Sequence, residues 1–135
     1  MPAVLVRYWT AWNTDDLGAV PELLAGAVSP DAEWNHPRES FVGTGGLEAA
    51  VRRWRTTKPE YRFEIASEID RRDGRMRYRW NMVRRGRTLM EGLDVVTLDE
   101  VTDWMRDVSS MPWDERHVFP AINPDSMEWL WRWYI

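Results

Sequence analysis

The 135-residue sequence has no cysteine, one lysine (Lys58) and two histidines. The lack of cysteine excludes disulfides, thiolate nucleophiles and sulfur-ligated metal sites, and it fits a reducing compartment. No run of about 18 apolar residues occurs, so no membrane-spanning helix is expected. A charged-then-apolar leader with a small-residue cleavage site is also missing. Together these absences predict a soluble cytoplasmic protein. The net charge of -4 leaves no basic face for nucleic acid. Arginines do gather between Arg71 and Arg79 and between Arg84 and Arg87, but acidic residues are interspersed, as on a solvated sheet face. With only His36 and His117 as imidazoles, no metal centre is expected.

Tryptophan is abundant: ten in one short chain. Large rigid aromatics fill a core or line a cavity for a bulky apolar ligand. A single domain, which is what this length predicts, has limited room to bury ten of them completely. Helical spacing puts Val4, Tyr8, Ala11 and Trp12 on one face of a first helix over residues 3 to 13. Asn13 to Asp16 breaks it, and Thr14 or Asp15 is placed to cap a second helix reaching about Leu24, with Pro21 as an interior irregularity. Ala32, Trp34 and His36 then alternate until Pro37 halts regular pairing. A turn at Gly43, Gly45 and Gly46 precedes a third helix from Leu47 to about Arg55.

From Tyr61 the period is two, with hairpin turns at Asp73-Gly74 and Arg85-Gly86. One strand puts Met76, Tyr78, Trp80 and Met82 on a single face and Arg75, Arg77, Arg79 and Asn81 on the other. The next carries Met90, Asp94, Val96 and Leu98 on one side, and a last strand is expected over residues 101 to 108. Three helices followed by a meander predict an α+β fold, a cone of curved antiparallel sheet wrapped over helices, in residues 1 to 110. Residues 111 to 135 read as a loop and a Trp-rich C-terminal helix. That helix is apolar nearly all round and is expected to pack on the domain or on a partner subunit.

The strings Arg-Tyr-Trp-Thr-Ala-Trp-Asn-Thr-Asp-Asp-Leu (7 to 17), Asp-Ala-Glu-Trp-Asn-His-Pro (31 to 37) and Gly-Leu-Asp-Val-Val-Thr-Leu-Asp (92 to 99), in this order and spacing, resemble the nuclear transport factor 2-like superfamily. The resemblance covers residues 3 to 108. That superfamily includes ketosteroid isomerase, SnoaL-like polyketide cyclases and limonene epoxide hydrolase. Similarity to ketosteroid isomerase implies a pocket tyrosine at Tyr8 and a second oxyanion donor at Asp94, kept neutral by burial. His36 stands where that enzyme has its aspartate base, and imidazole titrates near working pH. The resemblance thus implies a cofactor-independent acid/base enzyme acting on a hydrophobic, polycyclic or polyketide-like carbonyl compound, ending in cyclisation, isomerisation or dehydration. By the same analogy the chain is expected to form a homodimer.

Trp12, Trp34, Trp54, Trp80, Met82, Met90 and Trp104 are the expected substrate-contacting side chains. Two other readings stay open. Similarity to limonene epoxide hydrolase implies a water-activating set at Arg79, Asn81 and Asp107, although Asn81 lacks the carboxylate that would take a proton from water. Alternatively the cone is a non-catalytic binding or dimerisation module, with His36, Tyr8 and Asp94 only packed or hydrogen-bonded.

Overall fold

The structure, a computed structural model, describes residues 1–112. The expected C-terminal loop and helix, and His117 with them, lie outside the described residues. The chain forms helix α1 (Ala3–Asn13), a 3-10 turn (Leu17–Ala19), α2 (Val20–Ala25), strands β1 (Val28–Asn35) and β2 (Ser40–Val42), and α3 (Thr44–Thr57). Five strands follow: β3 (Tyr61–Ile65), β4 (Asp70–Arg72), β5 (Arg75–Arg84), β6 (Arg87–Leu98) and β7 (Met105–Pro112). Among the described residues no helix is long and apolar enough to cross a membrane.

All seven strands belong to one sheet in the order β2-β1-β7-β6-β5-β3, with β4 also on β5. The expected architecture, three helices on a curved sheet, is what the chain builds. Two details differ from a closed antiparallel cone. The pairing of β1 with β7 is parallel, and the end strands β2 and β3 do not meet, so the sheet is open. Register shifts between Val28 and Glu33, Met82 and Val83, and Thr97 and Leu98 bend the strands, as extra residues in a ladder do. The hairpin turns fall where expected, with Asp73-Gly74 and Arg85-Gly86 both at positive φ.

The helices bury their faces against the concave side of the sheet. From α1 the buried side chains are Leu5, Tyr8, Trp9, Ala11 and Trp12; Leu5 and Trp9 join the expected face, and Val4 is only partly buried. The inner-face residues of β5 and β6 complete the core with Met76, Tyr78, Trp80, Val96 and Leu98. Asn13 ends α1 by turning its amide onto β3: Nδ2 donates to the Phe63 carbonyl at 2.8 Å, and Phe63 N–H donates to Oδ1 at 2.7 Å. The amide imitates a neighbouring strand at the sheet's outer edge.

Several boundaries differ from expectation for local reasons. Asp16, not Thr14 or Asp15, caps the turn before α2 by accepting from Gly18 N–H, and Pro21 sits in the first turn of α2, where it costs no hydrogen bond. Residues 99 to 104 form a turn held by Asp99, which accepts from Val101 and Thr102 N–H. The last strand therefore starts at Met105 and runs four residues beyond Val108.

Asp15 is free of capping because it serves Arg55. This arginine on α3 is 3% exposed. It donates to the carbonyls of Thr14, Pro59 and Tyr61 and to Asp15 Oδ1, at 2.7 to 3.0 Å. Arg55→Met would leave buried carbonyls without donors, with an expected loss of about 3 kcal/mol in denaturant unfolding. Asp15→Asn, whose side chain is 73% exposed, should cost far less.

Candidate functional site

Between the helices and the inner sheet face lies a cavity of about 300 Å³. Helix α1 supplies Tyr8, Trp9 and Trp12; α3 supplies Ala50, Arg53, Trp54 and Thr57. The sheet supplies Trp34, Phe41, Phe63, Trp80, Met82, Met90 and Ser110, and the β1–β2 turn supplies His36 and Glu39. Its buried end is aromatic. Exposed Glu39, Arg53 and Thr57 mark the mouth, where Arg53 and Glu39 pair at 3.5 Å.

Strand register explains which side chains converge. On the inner face Trp34 lies beside Val108, Val108 beside Val96 and Val96 beside Met76; one row on, Ser110 lies beside Asp94 and Asp94 beside Tyr78. In the next row Gly92 faces Trp80, and a Cβ on Gly92 would run into the Trp80 indole. The glycine therefore lets that indole lie over β6 and reach the carboxylate of Asp94.

Asp94 is fully buried. Oδ2 accepts from the Tyr78 hydroxyl and Oδ1 from Trp80 Nε1, both at 2.8 Å, and Ser110 adds a third bond. Burial pushes its carboxyl up to about 6, against the pull of these three donors. The expected role of a neutral donor facing the ligand is corrected on two counts. Asp94 is absent from the cavity wall, and its oxygens accept, Oδ1 from an indole N–H that can only donate and Oδ2 from the Tyr78 hydroxyl.

Tyr8 does reach the cavity. Its oxygen accepts from Trp34 Nε1 at 3.0 Å, and its own proton finds no acceptor among the described residues. Burial first, and the charge of Asp94 second, raise its pKa well above the ordinary phenol value, so it stays protonated. His36 leads a tight turn in which its N–H donates to the Glu39 carbonyl at 2.8 Å; Pro37 occupies the corner. Its ring stacks on Trp34, with centroids 5.6 Å apart and planes 2° from parallel. Partial burial, with Arg38 adding to it against Glu39, lowers the imidazole pKa and keeps the ring neutral at pH 7. Nδ1 accepts from Arg38 N–H at 3.2 Å, so the neutral ring carries its proton on Nε2. Presenting Nε2 as a base requires the other tautomer, at the cost of one long hydrogen bond, about 1 kcal/mol.

Of the expected substrate-contacting residues, Trp12, Trp34, Trp54, Trp80, Met82 and Met90 line the cavity. Trp104 does not, because it belongs to the turn before β7. The alternative set fails to assemble. Arg79 and Asn81 point to the outer face, where Arg79 pairs with Glu91 at 3.3 Å, and Asp107 sits on the same outer side next to Asn35 at 3.4 Å. Trp9, Phe41, Phe63 and Ser110 were not expected in the wall. Phe63 was legible from its alternation with Tyr61 and Ile65; Ser110 lay beyond the expected end of its strand. Among the described residues no three His, Asp or Glu side chains are grouped as a metal ion would need.

The fold and the aromatic cavity define a small α+β domain of the nuclear transport factor 2-like type. The sequence profile of the SnoaL-like domain matches residues 5–106, and the chain belongs to that family. Similar solved structures include a candidate isomerase of the SnoaL-like family from Agrobacterium tumefaciens, 24% identical with a TM-score of 0.76 over 82% of this chain and 95% of that one. A candidate polyketide cyclase from Sinorhizobium meliloti is 15% identical, with a TM-score of 0.64 over 82% and 94%. A candidate ketosteroid isomerase from Kribbella flavida is 12% identical, with a TM-score of 0.62 over 83% and 76%. No curated protein matches the chain.

The carboxyl of Asp94 gives a pH signature. With a folded value of about 6 against an ordinary 3.8, the folded state holds a proton that the unfolded state has lost across that interval. Its contribution to stability is fully present below pH 3.8 and is lost as pH rises through 6. Relative to Asp94→Asn, the wild type should therefore lose on the order of 3 kcal/mol of unfolding free energy between pH 4 and pH 7, read by denaturant melts at each pH.

Proposed function

We propose that this protein is a cofactor-independent acid/base enzyme of isomerase or cyclase type, removing a proton beside the carbonyl of a flat, apolar substrate. The observation that supports it is the shared wall. Among the described residues the proton of Tyr8 has no acceptor, the imidazole of His36 is neutral, and both side chains open onto one aromatic cavity through contacts with the same indole, Trp34. In this reading the carbonyl oxygen takes the Tyr8 hydrogen bond while Nε2 of His36, in its base tautomer, accepts the α-proton. The phenol then donates to the enolate oxygen as charge develops there. Return of the proton to a different carbon gives isomerisation, and attack of the enolate carbon on a second carbonyl gives cyclisation. The names carried by its fold relatives, isomerase and polyketide cyclase, belong to the same class of chemistry.

Asp94 stays outside the reacting set in this scheme. Ionised above pH about 6, it sits behind the wall and opposes new negative charge, so Tyr8 and His36 carry the step. The outer-face position of Arg79 and Asn81 gives the hydrolase reading no support.

The expected outcome is α-proton exchange of 1-tetralone in deuterated buffer, followed by NMR. His36→Gln should slow it by roughly a hundredfold or more, and Tyr8→Phe by roughly tenfold to a hundredfold. Because the neutral ring is the base and its pKa lies below the ordinary 6.5, the rate should rise with pH through that lowered value and then level off. Equal exchange by wild type and His36→Gln would reject the assignment.

A further inference from the structure

Among the described residues two charged side chains are buried, Arg55 and Asp94. Arg55 has its counter-charge in Asp15 at 2.8 Å. Asp94 has none: the groups acting on its carboxyl are Ser110, Tyr78 and Trp80, all neutral. A buried carboxylate without a cation is expensive, because neutral donors recover only part of the lost hydration. This one lies directly behind the cavity wall, since Trp80 and Ser110 touch it on one side and line the cavity on the other. The space in front of it is enclosed by Trp9, Trp12, Trp34, Trp54, Phe63 and Trp80. Indole rings attract cations to their faces. Among the described residues the one cation on the wall, Arg53, stands at the exposed mouth and is matched there by Glu39.

We infer that the cavity binds an organic monocation of the quaternary or tertiary ammonium class, its charged nitrogen held among the indole rings in front of Asp94. The bound cation supplies the counter-charge the carboxylate lacks. It also suits the aromatic wall, which strips the ligand's hydration and offers few polar groups in its place, Tyr8, His36 and Ser110 among them. The inference concerns binding alone and does not rest on the proton transfer proposed above. A substrate carrying both groups would, however, bring its own positive charge to the place where an enolate forms.

The test compares two ligands of the same shape, choline and its uncharged counterpart 3,3-dimethylbutan-1-ol, by calorimetric titration at pH 8. Choline should bind at least about tenfold more tightly. Asp94→Asn should remove most of that preference while leaving the affinity for the alcohol within about twofold. Lowering the pH of the wild type to 5 should weaken choline alone. Two groups at this cavity move toward their protonated forms as the pH falls, Asp94 from β6 and His36 from the β1–β2 turn. Tyr8 on α1 and Tyr78 on β5 stay protonated, and Glu39 and Arg53 face each other at the mouth. His36→Gln at both pH values therefore separates the two: the pH effect should persist in that variant. Equal affinity for the two ligands overturns the inference, as does a choline preference that survives Asp94→Asn or a pH effect that vanishes with His36. None of these readings depends on turnover, so failure here and failure of the enzymatic reading are told apart.

Discussion

The carboxylate of Asp94 is the constraint around which the sheet side of the cavity is arranged. Three donors on the two neighbouring strands, one of them an indole, must reach one buried group, and each is held by register: Tyr78 directly opposite, Ser110 on the far side, Trp80 one row along. Gly92 is the condition for the last of these, since any side chain there would displace the indole. A fully satisfied polar network in a low-dielectric interior fixes one arrangement of its members. Here that arrangement lays Trp80 along the cavity wall and turns Ser110 toward the space.

The opposite wall is fixed by a different device. Helix α1 is tied to the sheet edge by Asn13 and to the end of α3 by the Arg55 guanidinium, which gathers carbonyls from Thr14, Pro59 and Tyr61. With the helix anchored at its C-terminal end, Tyr8 meets Trp34 across the cavity, and Trp34 in turn carries the His36 ring flat against it. Trp34 therefore links the phenol to the imidazole, while the charge of Asp94 acts on the phenol from behind. The aromatic abundance of the chain is used for geometry as well as for apolar area: one indole N–H serves Tyr8 and another serves Asp94.

Much of this was legible in the sequence where periodicity is strong. The inner faces of β5 and β6, both hairpin turns, the apolar side of α1 and the break at Pro37 follow from spacing and turn chemistry. What escaped depends on contacts between distant segments. Arg55 reads as a polar residue at the end of a helix until its carbonyl partners, one of them 41 residues away, come together. Asp94 was identifiable as a charged residue on an apolar face. Its direction was not, because a donor and an acceptor carboxyl look the same in sequence, and only Trp80 and Tyr78 across the strand decide between them. Trp104 and Ser110 were misplaced by one cause: the Asp99 turn delays the last strand, moving Trp104 off the sheet and bringing Ser110 onto its inner face.

Among the described residues Asp94 is a desolvated carboxyl held by neutral donors only, and the cavity's sheet side depends on it. Carbon-13 NMR titration of aspartate carboxyls, with Asp94 assigned by comparison with an Asp94→Asn sample, measures this directly. The resonance should titrate at about 6; a midpoint at or below the ordinary aspartate value of about 3.9 would show a cation already paired with it and would contradict the account.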